Sequence, residues 1–384
     1  MKTKYFSIFF IFFVIHQFCL QAKPKNKEIW MNILVHGTVG FQATFTLSNF
    51  FLLLKDTITG SPYEQNIRTI RQNPILSTIQ PIQQLGLCPI NPTANTIFAP
   101  ALFAELYDKV DQMTFPQNDK ANLFYTFGWS GVLSYSQRFF EARLFYIALR
   151  AELKKLEKKN IFPKIRIIGY SHGGSIALNL AALRAYEFIH DTFTIDELIL
   201  LGMPVQSSTM RLVWSSMFDK IYHIYSAGDR VQRADIFNPA RMLSYKRFCG
   251  ELPHNFTQIE LKLTARPLTT CETQARSRRF LRTMCQSPGH IELWFFGWTS
   301  QNYRKRFTFY PLPAGIFIPY LTKISNYYLP NSRHLTINIY PDTAVSIINH
   351  RDERNTFSVP FFNPFTIESF KKLAFCSMQR NYFS

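Results

Sequence analysis

The chain has 384 residues, of which 47% are hydrophobic and 18% are charged, and its formal net charge is +18. This composition supports a large packed core and excludes general disorder, while the length allows one large domain with an appendage or two modest domains. The positive charge predicts attraction to anionic surfaces such as a membrane or cell envelope. We do not expect nucleic-acid binding, because the basic runs Arg276–Arg279 and Arg304–Arg306 belong to no recognisable nucleic-acid-binding module.

The N-terminus has the pattern of a secretory signal peptide. Lys2 and Lys4 give it a positively charged start, and the stretch Tyr5–Phe18 is almost wholly apolar. That stretch is shorter than the roughly 20 residues of a membrane-spanning helix, and cleavage after Ala22 would remove it. We therefore expect residues 1–22 to direct the protein to secretion or to the periplasm. An uncleaved N-terminal anchor is the alternative.

The first buried strand is predicted at Met31–Val35, where a short apolar run ends in His36-Gly37-Thr38. The segment 41–120 that follows is far longer than an ordinary connection between a strand and a helix. Its beginning is strongly apolar, and it starts directly at the turn after the first strand. We expect it to form a cap or lid, and a scaffold insertion packed on the core is the alternative.

Strands and helices alternate from about residue 120 onwards, which predicts an α/β fold with a mostly parallel sheet flanked by helices. The helix predicted at 136–159 is expected to pack through a face that includes Phe140, Leu144 and Ile147. After about residue 301 the alternation is lost, so we expect a main domain at 23–300 and a C-terminal extension at 301–384. The predicted strands are 122–127, 164–168, 197–201, 221–225 and 256–263, and a second helix is predicted at 175–188.

The motif Gly169-Tyr170-Ser171-His172-Gly173 lies between a predicted strand and a predicted helix. A serine in a sharp strand-to-helix turn needs small residues two positions before and after it, because larger side chains would collide with the neighbouring strand and helix. A serine hydroxyl becomes a good nucleophile only when a base takes its proton and hydrogen-bond donors receive the developing oxyanion. Ser171 is thus the candidate nucleophile, and the alternative is a serine in an ordinary glycine turn.

With this motif, and with His36-Gly37 after the first strand, the chain resembles the α/β-hydrolase superfamily over residues 31–295, in particular its lipases and esterases. The order of catalytic residues in that family is serine, acid, histidine, so the acid and the base should follow Ser171. The resemblance implies Asp229, just after a predicted strand, as the acid, with Asp235 as the runner-up. It implies His290, in a turn beyond the strand at 256–263, as the base. The replacements for His290 are His254, His334 and His350.

The resemblance also implies an oxyanion hole made by two backbone N–H groups. One belongs to His172, which follows the nucleophile, and the other comes from the turn after His36-Gly37. Thr38 is the matching position and Val39 the next, although the sequence lacks the HGGG pattern of some esterases. The segment 41–120 would then shape a pocket for an acyl chain.

The chemistry implied by the resemblance is hydrolysis of a carboxylic ester through an acyl-enzyme intermediate, with an ester or lipid as substrate. No cofactor or metal is expected, because the triad needs none and the cysteine spacing fits no zinc pattern. The alternative is a catalytically silent protein of this fold that binds a partner or an envelope surface, for example through its aromatic C-terminal extension.

Overall fold

The computed structural model describes residues 27–39, 55–91, 98–116, 119–229, 231, 244–263, 287–297, 309–328, 333–340, 344–349 and 352–383. The predicted signal peptide at 1–22 and the alternative site residues Asp235 and His350 lie outside the described residues. In the described ranges, no helix has the length and apolarity needed to cross a membrane.

The described strands are β1 Glu28–Val35, β2 Gly86–Ile90, β3 Lys120–Gly128, β4 Lys164–Tyr170, β5 Ile195–Leu201, β6 Phe218–Tyr225, β7 Phe256–Leu263, β8 His334–Ile339, β9 Ala344–Asn349 and β10 Asp352–Pro360. They form one sheet in the spatial order β10-β9-β8-β7-β6-β5-β4-β1-β3-β2. Neighbouring strands run parallel from β8 across the sheet to β3, whereas β2 at one edge and β9 and β10 at the other edge pair antiparallel.

Helices cover both faces of this sheet, which confirms the predicted α/β class and the mostly parallel sheet. The α-helices are α1 Pro62–Gln72, α2 Leu76–Ile79, α3 Ala99–Thr114, α4 Tyr135–Glu157, α5 His172–Tyr186, α6 Ser207–Met210, α7 Ile318–Tyr328 and α8 Pro364–Phe383. Short 3-10 helices span Arg211–Trp214, Ile291–Leu293 and Ala314–Phe317.

Two hydrophobic cores lie on opposite sides of the sheet, because successive side chains of a strand point to opposite faces. In β5, Leu198 and Leu200 belong to the core under α4 and α5, whereas Ile199 and Leu201 belong to the core under α3, α7 and α8. A parallel strand that is buried on both faces has a near-continuous apolar run, such as Leu198–Leu201 of β5, and such a run predicts a strand from the sequence.

The described parts of the segment 301–384 take part in the sheet and its core. β8 pairs in parallel with β7. Leu335 and Ile337 of β8 and Phe370 of α8 are buried in the same core as Ile259 of β7. These described parts therefore pack with the strands that precede them.

Helix α4 forms close to its predicted bounds but packs through a different face. Phe140 is 50% exposed, and Leu144 and Ile147 are also exposed, contrary to expectation. The buried face instead contains Arg138 and Glu141. A buried polar group is tolerated when it is hydrogen-bonded, and Glu141 Oε1 accepts a hydrogen bond of 3.2 Å from the backbone N–H of Ser130.

Much of the segment 41–120 is scaffold. β2 pairs along the edge of β3, and Phe103 and Leu106 of α3 are buried in the core. Helix α1 packs nearer the carboxyl edge of the sheet, where Tyr63 Oη accepts a hydrogen bond of 3.2 Å from the backbone N–H of Leu133. The apolar first part of the predicted cap, residues 41–54, lies outside the described residues.

A buried arginine ties the middle of the sheet together, and its loss is expected to destabilise the fold. Arg166 Nε donates to Glu197 Oε2 at 2.6 Å, and its Nη1 donates to Asn32 and Tyr107. We expect Arg166→Met to lower the free energy of unfolding by about 3–5 kcal/mol, because it leaves the Glu197 carboxylate buried without its cation. Urea unfolding followed by circular dichroism measures the change.

The matched control removes both charges at once. The double variant Arg166→Met/Glu197→Leu should recover most of the lost stability, since two apolar side chains leave no unpaired charge in the core. At the surface, Lys155→Met breaks the exposed pair with Glu152 and should change stability by less than about 1 kcal/mol. Equal losses in the single and the double variant would contradict this account.

Candidate active site

The candidate residues meet at the carboxyl edge of the sheet, where the strand order changes direction. β1 and β4 are parallel neighbours, with Val35 paired to Gly169, while β3 lies on one side of them and β5 on the other. The carboxyl ends of parallel strands at such a switch point border a crevice in open α/β sheets. Gly37, which follows β1, and Ser171, which follows β4, therefore face each other at this edge.

Ser171 lies in a strained, very tight turn between β4 and α5. Its φ of 52° and ψ of −129° fall outside the regions that side-chain-bearing residues prefer, and its N–H donates to Leu201 O at 2.9 Å. The flanking glycines are required: a Cβ on Gly169 would lie 2.6 Å from Gly174 Cα, and a Cβ on Gly173 would collide with Val35 O. The serine is only 3% exposed.

Asp229 and His290 are joined by a short hydrogen bond, 2.6 Å between Asp229 Oδ2 and His290 Nδ1. The Asp229 side chain is fully buried and that of His290 is 10% exposed. Asp229 Oδ1 also accepts from the backbone N–H of Val231 at 2.9 Å, which fixes the carboxylate plane. The loop that carries Asp229 and the loop that carries His290 are in direct contact, because a Cβ on Gly228 would collide with Ser287 O.

Tyr170 connects the serine turn to the histidine loop. Its hydroxyl donates to the backbone carbonyl of His290 at 3.0 Å, and its ring centroid lies 4.8 Å from that of His290. On the same side it stacks on Trp294 at 5.1 Å with nearly parallel planes. Burial and the nearby Asp229 and Glu292 raise the pKa of Tyr170 well above its ordinary value, so the phenol stays protonated and remains a donor.

Gly202 also links the nucleophile turn to the acid–histidine pair. A Cβ at Gly202 would lie 3.4 Å from Asp229 Oδ2 and 3.5 Å from His290 Nδ1, and the preceding residue, Leu201, accepts the hydrogen bond from Ser171 N–H. Within the described residues no hydrogen bond joins Ser171 Oγ to His290. Such a bond is often long before substrate is bound.

The turn after β1 supplies the second half of the candidate oxyanion hole. A Cβ on Gly37 would lie 2.7 Å from Ser171 Cβ, so only glycine lets the turn after β1 approach Ser171 this closely. The N–H of Val39 donates to Gly131 O at 3.1 Å, whereas the N–H of Thr38 has no acceptor among the described residues. This favours Thr38 over Val39 as a donor. His172 is the first residue of α5, so its N–H lies at the positive end of the helix dipole.

His36 holds this turn in place as a neutral imidazole. Its Nε2 accepts from Trp129 N–H at 3.2 Å, so Nδ1 carries the proton and donates to Gly37 O at 2.6 Å. Trp129 Nε1 in turn donates to the His36 carbonyl at 2.7 Å. Burial, and secondarily the positive charge of Arg71, lower the pKa of His36 well below its ordinary value.

The free energy of unfolding should decrease as the pH is lowered from 7 to about 4, because His36 and His223 are buried in their uncharged form. Burial lowers the pKa of His223 from 6.5 to about 4. The unfolded chain therefore binds protons that the folded chain excludes. The stability is present above pH 6.5 and is lost as pH falls below it, by roughly 2 kcal/mol per histidine at pH 5.

His223→Gln tests the share of His223 in that pH dependence. Its surroundings in the described part of the chain are the rings of Tyr225 and Phe248, the amide of Gln258 and the backbone of Met203, all of which are uncharged at these pH values. Urea unfolding at pH 7 and pH 5 should show a smaller difference in the variant than in the wild type. An unchanged difference would refute the assignment.

The alternative site residues lie elsewhere or outside the described residues. His254 is exposed at the start of β7, which is the opposite edge of the sheet. His334 begins β8, and its Nε2 is 2.8 Å from Tyr225 Oη. Two residues that support the site were not predicted from the sequence. Tyr170 bridges the serine turn and the His290 loop, and Arg71 Nε donates to Trp129 O at 3.0 Å. Neither has a motif that would have revealed it.

Comparison with known proteins gives one low-scoring structural similarity. The chain shows structural similarity to a protein from Lactobacillus plantarum WCFS1 that is provisionally named a cell surface hydrolase. The two chains are 14% identical with a TM-score of 0.25, over 53% of this chain and 70% of that chain. Similarity at this level supports no inference about function. No family model and no curated protein matches the chain.

Proposed function

We propose that the protein is a serine hydrolase of the α/β-hydrolase type that cleaves carboxylic esters. The observation that carries the proposal is the Asp229–His290 hydrogen bond of 2.6 Å, in loops that contact the strained turn of Ser171 through Tyr170 and Gly202. Asp229 lies in the loop after β6, and His290 lies in the connection after β7. In the sheet, β5 lies next to β4, and β6 and β7 follow it. The chain order Ser171, Asp229, His290 and the shared sheet edge are those of the α/β-hydrolase family, which supports the assignment of nucleophile, acid and base.

The mechanism assigns one step to each group. His290 Nε2 takes the proton of Ser171 Oγ as the oxygen attacks the ester carbonyl, and Asp229 holds the proton on Nδ1 and stabilises the imidazolium that forms. The backbone N–H groups of His172 and Thr38 receive the oxyanion of the tetrahedral intermediate. His290 then protonates the leaving alcohol, and the same groups activate water to release the acyl group from Ser171.

An exported location fits this proposal. The N-terminal pattern at 1–22 is that of a signal peptide, and the net charge of +18 favours contact with anionic lipids or envelope polymers. We accordingly propose an ester or lipid substrate at or beyond the cell envelope.

The test combines active-site labelling with a panel of p-nitrophenyl esters of increasing acyl length. The folded wild type should react with a fluorophosphonate probe and hydrolyse at least one ester, whereas the same protein in denaturing urea should do neither. Absence of both reactions in the folded protein would overturn the proposal and favour the silent, partner-binding alternative.

A further inference from the structure

A cavity of about 710 Å³ lies near the candidate active site, along β2 and the ends of α1 and α3. Ser130 lines it, and the neighbouring Trp129 contacts His36, next to the Gly37 that touches Ser171. The β3 end next to the cavity is two strands away from β4. Two interstrand spacings amount to about 10 Å, which an acyl chain of medium length can bridge.

Arg71 lines this cavity and is its unusual group. Its Nε donates to Trp129 O at 3.0 Å and its Nη2 to Gln83 O, both of them neutral backbone carbonyls. Among the described residues no carboxylate lies within ion-pair distance of its guanidinium. Burial lowers the pKa of Arg71 to about 10, which marks a cation held in a poorly solvated place.

The charge of Glu141 acts on Arg71 and only partly offsets the effect of burial on the pKa of the guanidinium. Arg68, which also lines the cavity, already has a partner in Glu64, with Nη2 to Oε1 at 2.7 Å. A half-buried guanidinium with no carboxylate within ion-pair distance among the described residues attracts an incoming anion, because it is partly removed from water. Its planar set of donors suits a carboxylate or phosphate, and two carbonyl contacts leave N–H groups of Arg71 unused.

The remaining walls match a hydrocarbon chain. Leu76, Ile82, Ile90, Phe98 and Ala101 contribute apolar surface to the cavity. An occupant that satisfies both the apolar walls and Arg71 has a hydrocarbon segment and one anionic end.

We propose that Arg71 binds an oxyanion, a carboxylate or a phosphate, at the far end of the substrate's acyl chain, and so selects esters of anion-terminated acids over esters of plain fatty acids. This inference rests on the proposed esterase function and names its substrate class.

The test compares two p-nitrophenyl esters that differ only at the far end of the chain. p-Nitrophenyl hydrogen suberate carries a carboxylate at the end of an eight-carbon chain, and p-nitrophenyl octanoate carries a methyl group. The wild type should prefer the suberate in kcat/KM by roughly tenfold or more, as expected for a charge-assisted hydrogen bond. The ester of 8-phosphonooctanoate shows whether phosphate-like ends are accepted as well.

Arg71→Gln removes the charge but keeps a donor for the Trp129 carbonyl, and Arg71→Lys keeps the charge. The preference should vanish in Arg71→Gln, mainly through a higher KM for the suberate, and should persist in part in Arg71→Lys. Octanoate hydrolysis by the same variants measures any effect on the turn that both esters share, so the preference is taken as the ratio of the two kcat/KM values. Arg143→Met removes one positive charge from the surface of α4 and should leave the preference intact.

Binding of monomethyl suberate to Ser171→Ala, measured by calorimetry, separates the two proposals. Binding that is lost in Ser171→Ala/Arg71→Gln supports the anion site even if no ester is hydrolysed. Hydrolysis of octanoate without any preference for the suberate overturns the anion site and leaves the esterase intact. Equal loss of activity on both esters in Arg71→Gln would show that Arg71 only supports the turn, which also overturns the inference.

Discussion

Ser171→Ala is expected to lower kcat for ester hydrolysis by roughly 10⁴- to 10⁶-fold and to abolish fluorophosphonate labelling. Loss of a nucleophile removes the whole covalent pathway, and only binding and the oxyanion hole then act on the substrate. Steady-state assays on the best ester of the panel, together with gel-based labelling, measure both effects. The variant should remain folded, because alanine fits the same turn.

A matched control for Ser171→Ala is available one helical turn away. Ser175 is fully buried in α5 and lies four residues beyond Ser171. Ser175→Ala should keep both labelling and turnover near the wild-type level. Labelling that persists in Ser171→Ala, or disappears in Ser175→Ala with the fold intact, would place the nucleophile elsewhere.

Asp229→Asn should lower kcat by roughly 10³- to 10⁴-fold and leave KM nearly unchanged. An amide of the same shape can still accept the Val231 N–H bond, but it no longer stabilises the imidazolium or enforces the tautomer with the proton on His290 Nδ1. Stopped-flow or steady-state kinetics over the pH range 6–9 give the values. The near-isosteric change separates loss of charge from loss of packing.

Asp219→Asn is the control for Asp229→Asn. Asp219 lies near the amino end of β6, exposed and on the edge opposite to the site. Its replacement should leave kcat within about twofold of the wild type, as expected for surface positions. A decrease confined to a few-fold in Asp229→Asn would mean that the carboxylate is not the partner the histidine needs.

The strands around the serine were readable from the sequence because parallel strands buried on both faces are continuously apolar. The apolar runs Ile167–Ile168 of β4 and Leu198–Leu201 of β5 are of this kind, although the buried Arg166 interrupts β4, and the glycines around Ser171 identify the turn between β4 and α5. Asp229 and His290 were assigned through the family order. That the structure joins them at 2.6 Å depends on loops whose approach no local pattern encodes.

The errors arose where tertiary packing overrides local pattern. Helix α4 exposes Phe140 and Leu144 and packs through Phe145, Tyr146 and Leu149, and both faces are apolar enough that the helical period alone does not choose between them. The strands β8, β9 and β10 follow one another as two antiparallel pairs, so they lack the alternation of strands and helices that predicts the parallel part of the sheet.

Arg71 illustrates the limit for the site itself. Arg68 follows Glu64 at the four-residue spacing of a helical ion pair, and Arg71 has no carboxylate at that spacing. The sequence thus separates the two arginines, but it does not reveal that Arg71 donates to the backbone carbonyl of Trp129, because that contact depends on how α1 packs against the end of β3.

The contacts of Tyr170 make the position of His290 independent of the chain that leads to it. The Tyr170 hydroxyl and Asp229 both hydrogen-bond to His290, and Ser287 packs on Gly228. These contacts hold residues 287–290 directly against the ends of β4 and β6. A change in the length of the connection between β7 and Ser287 is therefore expected to leave the Asp229–His290 hydrogen bond in place.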